Sequence, residues 1–291
     1  MRAFNLNISS DIDLLLPPAV SGQYDVNIAQ GIITLPTLEQ TKIFRAGAQA
    51  LYAFHHSGHF LVWPNMVALQ ITANNITYQK LGNIPIGLLR IFILSEAIGI
   101  LLHLRGHFML HASALEHQGQ ATVFLGTPGA GKSTTVTAFA KEGFNVLSDD
   151  LVAITPHSPA TVIPAFPEIK IWKNTAEGLG IDVSSLSPAW EGKDKYIMKL
   201  KSSSSSTNTY PLKQFIIIIP FVEHNTNSSE LIGPVELLKY FPLPHQLLNP
   251  SALKKHFEVS ASILSTTALV TVQRPADFNK LSKYVQNFKN L

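Results

Sequence analysis

From its start to about residue 83 the chain alternates apolar and polar positions in short runs. "ISSDIDLLL", "YDVNIAQGIITL", "HFLVWP", "MVALQITA" and "ITYQKL" carry β-branched residues and are separated by turn signals, which predicts short strands. "LEQTKIFRAGAQALYAFH", residues 38–55, is expected to interrupt them as a helix. The pattern then changes. "IPIGLLRIFILSEAIGILLHL", from Ile84 to Leu104, is the most apolar window and predicts a helix near 86–104. It is long enough to raise the question of a membrane span. Arg90, Glu96 and His103 interrupt it, each costly in lipid, so a buried core helix is expected.

Beyond Gly106, "HFMLHASAL" and "QATVFLG" predict strands joined by the polar turn "EHQGQ". A helix is expected from Lys132 to about Lys141, with Gly143 as its stop signal. "NVLSDD" and "LVAIT" are strands, "VIPAFPEIKIW" is extended and broken by prolines, and "FIIIIPFV" is a buried strand too short to span a membrane as a helix. The tail predicts helices around "VELLKYF", "PSALKKHFEVSASILS" and "PADFNKLSKYVQNFKN", with the strand "ALVTVQ" before the last. Ser202 to Ser206 form a serine run, expected as a surface connection. The succession is mixed α/β, with an N-terminal β-rich region over 1–83 and a second region over 84–291.

Composition narrows the class. The 291 residues are 46% hydrophobic and 14% charged, which is globular and ample for a core. A net charge of +3 without a Lys/Arg cluster argues against a nucleic-acid surface. There are no cysteines, so disulfides, thiolate chemistry and Cys-ligated zinc are excluded. "MRAFNLNISSDIDLLLPP" lacks the form of a signal peptide, and a cytoplasmic location is the expectation.

The chemistry concentrates after residue 125. Gly126, Thr127, Pro128, Gly129, Ala130, Gly131, Lys132 and Ser133 fit G-x-x-x-x-G-K-[ST], followed by Thr134, with an apolar strand before and a helix after. The glycines let backbone N–H groups turn inward on phosphate oxygens, and the helix start adds a positive end. Lys132 supplies charge to the β/γ phosphates, and the Ser133 hydroxyl can ligate Mg²⁺. Nucleotide phosphate binding follows from this combination, with ATP and Mg²⁺ as the expected ligands.

Asp149 lies 17 residues after Lys132, an interval that fits a helix, a turn and a strand returning to the loop's mouth. A carboxylate there can hold Mg²⁺ or accept the proton of an attacking hydroxyl. Adjacent strand residues face opposite ways, so Asp149 and Asp150 are expected in different roles, and either can equally cap a turn. His111, 15 residues before Gly126, lies on the strand expected to pair with that of the loop, where a core histidine is the commoner outcome.

Together these pieces resemble the catalytic domain of HPr kinase/phosphorylase and the wider family of HPr-kinase-like serine kinases. "LHASAL", "LGTPGAGKSTT", "LSDDLVAI" and "FPEIKIW" carry the likeness, and "LLHLRGHFMLHAS" is similar to the members found in peptide-modifying gene clusters. It covers roughly residues 86 to 175 and weakens beyond. The resemblance implies a fold like phosphoenolpyruvate carboxykinase, with 84–291 as the ATP-binding catalytic domain. It implies Asp149 as base toward a serine hydroxyl, His111 supporting that aspartate, and Asp150 and Glu168 beside Ser133 on the metal side. Lys170 stands where many relatives have arginine and cannot make the same bidentate grip. Lys195 is similarly placed to a basic residue that related proteins carry, and with Lys193 is a candidate to reach a substrate phosphate. Thr134 departs from HPr kinase proper, which has an acidic residue there. The reverse phosphorylase activity, HPr as substrate and the hexamer are not carried over.

The leading expectation is an ATP-dependent kinase acting on a serine-type hydroxyl in a peptide or small protein, with homo-oligomerisation left open. A small-molecule kinase acting on an amino acid or sugar, and a nucleotide-binding regulatory module without catalysis, are the alternatives. His55, His56 and His59 in "FHHSGH" are expected in a solvated turn and not as metal ligands. Trp172 and Trp190 are expected to pack and not to stack on a base.

Overall fold

The computed structural model describes every residue except 21, 190–193, 201–207, 222–232 and 290–291. The serine run Ser202–Ser206, Lys193 and Trp190 therefore lie outside the described residues. The fold is mixed α/β with large sheets and divides into two compact units. The first comprises Met1–Met109 and Pro242–His256; the second comprises Leu110–Phe241 and Phe257–Leu291.

The first unit is built on a sheet of β1 (Arg2–Ala3), β2 (Leu6–Ser10), β3 (Val26–Gln30), β4 (Glu39–Arg45), β5 (Ala48–His55), β6 (Gly58–Trp63), β7 (Val67–Ile71) and β8 (Asn75–Lys80). Their order is β1-β2-β3-β8-β7-β6-β5-β4. The helix predicted over 38–55 is replaced by the β4–β5 hairpin, with Arg45 opposite Ala48 and Phe44 opposite Gln49. Ala46 (φ 52°) and Gly47 (φ 81°) both take the left-handed conformation of a tight two-residue hairpin turn. With Ala50 and Tyr52 buried and Gln49 exposed, the period along β5 is two, and tertiary burial overrides the helix-forming alanines.

The apolar window forms α1 (Ile86–Ile91), a π-helical stretch Phe92–Ala97 and α2 (Ile98–Leu104). It is long and apolar enough to cross a membrane by length and composition, and 67% of its most apolar window is buried inside the protein. The structure assigns it to the first unit, so the compact division falls after Met109 and not near residue 83. Two contacts explain why. The Phe92 ring stacks on Trp63 with centroids 4.2 Å apart, and buried Glu96 accepts from Arg45 Nε at 2.7 Å. A buried carboxylate needs its cation, and removing one partner of such a pair typically costs about 3–5 kcal/mol. We expect Glu96→Ala to lower unfolding free energy in urea by about 3 kcal/mol, and the pair Arg45→Met with Glu96→Leu to recover most of it.

The second unit holds β10 (Ser113–His117), which follows β9 (Phe108–Leu110) in the chain, then β11 (Gln120–Leu125), α3 (Lys132–Lys141), β12 (Asn145–Ser148), β13 (Val152–Thr155) and β14 (Thr161–Ile163). It continues through β15 (Glu168–Trp172), α4 (Lys173–Gly178), β16 (Ser187–Pro188), β17 (Lys195–Lys199), β18 (Tyr210–Ile219) and α5 (Pro234–Leu238). After α6 (Pro250–Leu264), which crosses from the first unit, come β19 (Ala268–Gln273) and α7 (Phe278–Lys289). The expected strand "HFMLHASAL" is broken at His111 and Ala112 into β9 and β10.

β11 is the organising strand. Five of its six residues are buried, as a strand covered on both faces requires. β10 pairs with it antiparallel, and β18 pairs with it parallel, Leu125 opposite Ile217. β19 extends the set parallel to β18, Ile219 opposite Gln273. Three strands therefore end on one edge, where the loop before α3 begins. Beneath that loop, Phe124, Val136, Phe139, Ile216, Val285 and Phe288 form the core, with Phe139 edge-on to Phe288 at 5.0 Å. β15, β16 and β17 form a separate small sheet whose Ile169 and Ile171 pack with Ala176.

Candidate functional site

The loop from Gly126 to Gly131 connects the end of β11 to α3 at the carboxyl edge of the parallel strands, where open α/β sheets place ligands. Two glycines are required by their surroundings. A Cβ on Gly126 would lie 2.8 Å from the Ile218 carbonyl oxygen and 2.9 Å from Ala130 Cβ. Gly131, with φ 104°, caps α3, and a Cβ there would meet Arg274 Cδ at 2.7 Å. The chain can only turn this closely without side chains, which brings the loop and the start of a ten-residue helix to one cleft, with the Ala130 N–H donating to the Thr127 carbonyl at 3.0 Å inside the loop. We expect Gly126→Ala to cost about 1–3 kcal/mol of stability, because the atom it meets is backbone, and to weaken ADP binding in calorimetry.

The cleft measures about 850 Å³ and belongs wholly to the second unit. Its walls include Pro128, Gly129, Gly131, Lys132, Ser133 and Thr134 from the loop and α3. Ala130 is buried beneath the loop. Gly126 and Thr127 contribute carbonyls, which accept from Lys132 Nζ at 2.8 and 3.5 Å. Lys132 is itself buried, and desolvation holds its pKa below the ordinary lysine value.

Asp149 stands opposite. Its Oδ1 accepts from Ser113 Oγ at 2.7 Å and Ser133 Oγ at 3.0 Å, and its Oδ2 from the Lys170 N–H at 3.3 Å. Three donors from three elements thus fix one carboxylate beside the loop. Burial, reinforced by the neighbouring Asp150 charge, raises its pKa, and the donors oppose that only in part. The expectation that Asp149 and Asp150 face opposite ways does not hold. β12 ends at Ser148, and Asp150 has φ 77°, so the pair sits in a turn and both carboxylates line the cleft.

His111 also lines the cleft, but against Asp150 and not Asp149. Its Nδ1 lies 3.0 Å from the Asp150 carbonyl oxygen and 3.3 Å from Asp150 Oδ1. Facing two acceptors, Nδ1 must carry the proton, which leaves Nε2 as the acceptor nitrogen. Desolvation lowers the His111 pKa and the Lys132 charge adds to that, against the opposing pull of Asp150, so the ring favours its neutral form.

Glu168 and Lys170, at the start and middle of β15, do not line the cleft; Lys170 contributes its backbone N–H instead. Trp172, at the end of β15, does line it and is 52% exposed, which corrects the expectation that it packs in a core. Lys195 lines it too, with Nζ 5.5 Å from the centre of the Trp172 ring. Ser113, Asn174, Thr175, Glu177, Asp194 and Arg274 are missed by the sequence reading. Only Ser113, itself fully buried, had a signal there: a serine within the apolar run of a strand needs a partner.

A triphosphate fits the glycine cradle and its lysine. The hard oxygens of Ser133 and Asp150 would suit Mg²⁺, since that ion takes one or two protein carboxylates and completes its shell with phosphate and water. Among the described residues there is no cluster of three or more His, Cys, Asp or Glu side chains suited to a metal, His55, His56 and His59 included. His59 is held by Tyr52 Oη at 2.7 Å and burial lowers its pKa to about 4.

No family model matches the chain, and no curated protein matches it. Among solved structures it is similar to the Hpr(Ser) kinase/phosphatase from Coxiella burnetii, at 12% identity and a TM-score of 0.26, over 42% of this chain and 73% of that one. This is a distant likeness at most, and at that score it carries no weight for function.

Proposed function

We propose that the second unit is an ATP-dependent phosphotransferase that phosphorylates a serine-type hydroxyl in a peptide or small protein. The observation that carries this reading is the Asp149 carboxylate, held by Ser113, Ser133 and the Lys170 N–H within the same cleft as the loop and Lys132. A module that only binds nucleotide can hold its metal on Ser133 and Asp150 and does not need a second carboxylate fixed by three donors beside the loop.

The loop N–H groups and Lys132 hold the β and γ phosphates and take up charge as it develops on them. Ser133 and Asp150 would hold Mg²⁺, which would supply further neutralisation of phosphate charge. The acceptor hydroxyl gives its proton to Asp149 while its oxygen bonds to the γ-phosphorus in line with the departing β-phosphate oxygen. The bond to that oxygen breaks, and ADP and the phosphate ester are the products. His111, through Nδ1–H, positions Asp150 beside this pair.

The test is to incubate the purified chain with Mg·ATP and serine-containing peptides and to look by mass spectrometry for the gain of one phosphate. Transfer to amino acids or sugars with no transfer to any peptide would replace this reading by that of a small-molecule kinase. ATP bound and returned unchanged with every acceptor would leave only a binding module.

A further inference from the structure

The loop is met at both ends by the parallel strands beside it. Near the end of β18 the Ile218 carbonyl oxygen closes on Gly126, 2.8 Å from where a Cβ there would stand. Just past the end of β19 the Arg274 N–H donates to the Ile219 carbonyl at 2.8 Å, which fixes that backbone at the same edge. From there the Arg274 side chain reaches the other end of the loop. Measured from where a Cβ on Gly131 would stand, its Cδ lies 2.7 Å, its Nη1 3.4 Å and its Cγ 3.8 Å away. The arginine stem thus fills the space that the glycine leaves open, and both residues line the cleft.

The lysines of the cleft are already engaged. Lys132 Nζ lies on the Gly126 and Thr127 carbonyls, Lys173 pairs with Glu177 at 3.9 Å, and Lys195 Nζ lies over the Trp172 ring. Arg274 has no carboxylate partner among the described residues. A guanidinium stays charged at any working pH, and its planar fork matches two oxygens of one phosphate at once. It lies against Gly131, the residue before Lys132, so the oxygens within its reach are those of the phosphates that the loop and Lys132 would hold. The Asp149 and Asp150 carboxylates line the same cleft, so a polyphosphate there gains from a second fixed cation besides Lys132.

We infer that Arg274 is a second phosphate-binding cation of the cleft, delivered by β19 and laid on Gly131, and that it grips the phosphate oxygens of the nucleotide and not its base or ribose. The inference rests on the nucleotide-binding part of the proposed function, and not on phosphoryl transfer. It is tested by calorimetry in Mg²⁺ buffer with two probes, ADP and inorganic tripolyphosphate, which has no nucleoside. The proteins are the full chain, Arg274→Met, which keeps a stem on Gly131 without charge, and Arg274→Lys, which keeps the charge without the fork.

Arg274→Met is expected to weaken both probes about tenfold and Arg274→Lys both about threefold. Loss for tripolyphosphate alone upholds the inference and puts the contact on the phosphate that ADP lacks. Loss for ADP alone overturns it and moves the arginine to the nucleoside; unchanged affinity for both probes also overturns it. Thermal melts of the free proteins show whether each variant is folded, and if Arg274→Met is not, the Arg274→Lys result decides by the same outcomes. Failure of the unsubstituted chain to bind either probe overturns the inference together with the functional reading. If both probes weaken as expected but no acceptor is ever phosphorylated, the role of Arg274 stands and the phosphotransferase reading falls.

Discussion

Asp149→Asn is expected to reduce phosphoryl transfer by about a thousandfold, within the 10²- to 10⁴-fold range of a positioned general base, while ADP affinity changes by less than about threefold. The amide can still accept from Ser113 and Ser133, and it loses only the long 3.3 Å bond from the Lys170 N–H, so the cradle is undisturbed. What it lacks is a basic oxygen. Stability should move the other way. The folded Asp149 pKa is raised above the ordinary value of 3.8, so between that value and the raised one the folded state binds more protons than the unfolded. Stability drawn from this group therefore falls as pH rises through that window. At pH 7–8 the nucleotide-free variant should melt at the same temperature as the parent or higher, and the difference should vanish below about pH 4. Thermal melts across pH, alongside single-turnover rates, check both halves. A variant that keeps full activity would remove Asp149 from the reaction.

Lys132→Met should have the second-largest effect, with ATP affinity falling about a hundredfold and transfer falling below detection. In the structure the ammonium lies on the Gly126 and Thr127 carbonyls. A bound triphosphate offers it charged oxygens instead, so the lysine must turn from the loop to the phosphates. Methionine keeps the stem that fills this buried position and removes the charge. Because burial already lowers the Lys132 pKa, the folded state holds its proton less tightly than the unfolded chain does, and the charge costs stability at neutral pH. The variant should be at least as resistant to urea as the parent. Calorimetry with ATP, together with urea titration at pH 7.5, separates a lost phosphate contact from a lost fold.

The glycine-rich loop and its flanking elements were legible because each depends on neighbouring residues. Gly126, Gly131, Lys132 and Ser133 stand at fixed spacing between an apolar strand and a helix. The 17-residue return to Asp149 was legible for the same reason, since a helix and a strand have known lengths. What escaped depends on distant chain. Ser113 reaches Asp149 across 36 residues, and Arg274 reaches Gly131 only because β19 lies parallel to β18. Residues 38–55 misled for a local reason: their alanines favour a helix, and the Ala46–Gly47 turn with burial of β5 decides for a hairpin. Asp150 misled because alternation applies only within a strand, and β12 ends one residue before the pair.

The first unit reclaims Pro242–His256 after the chain has built most of the second. Gln246 Nε2 donates to the Gln40 carbonyl at 2.7 Å, and His256 stacks on Phe108 with centroids 4.6 Å apart. During synthesis, then, the N-terminal unit waits: its last piece leaves the ribosome only after the glycine loop, both aspartates and β18 have emerged. No single cut can release either half intact, and any effort to express the cradle alone must rejoin residue 241 to residue 257 by a designed bridge.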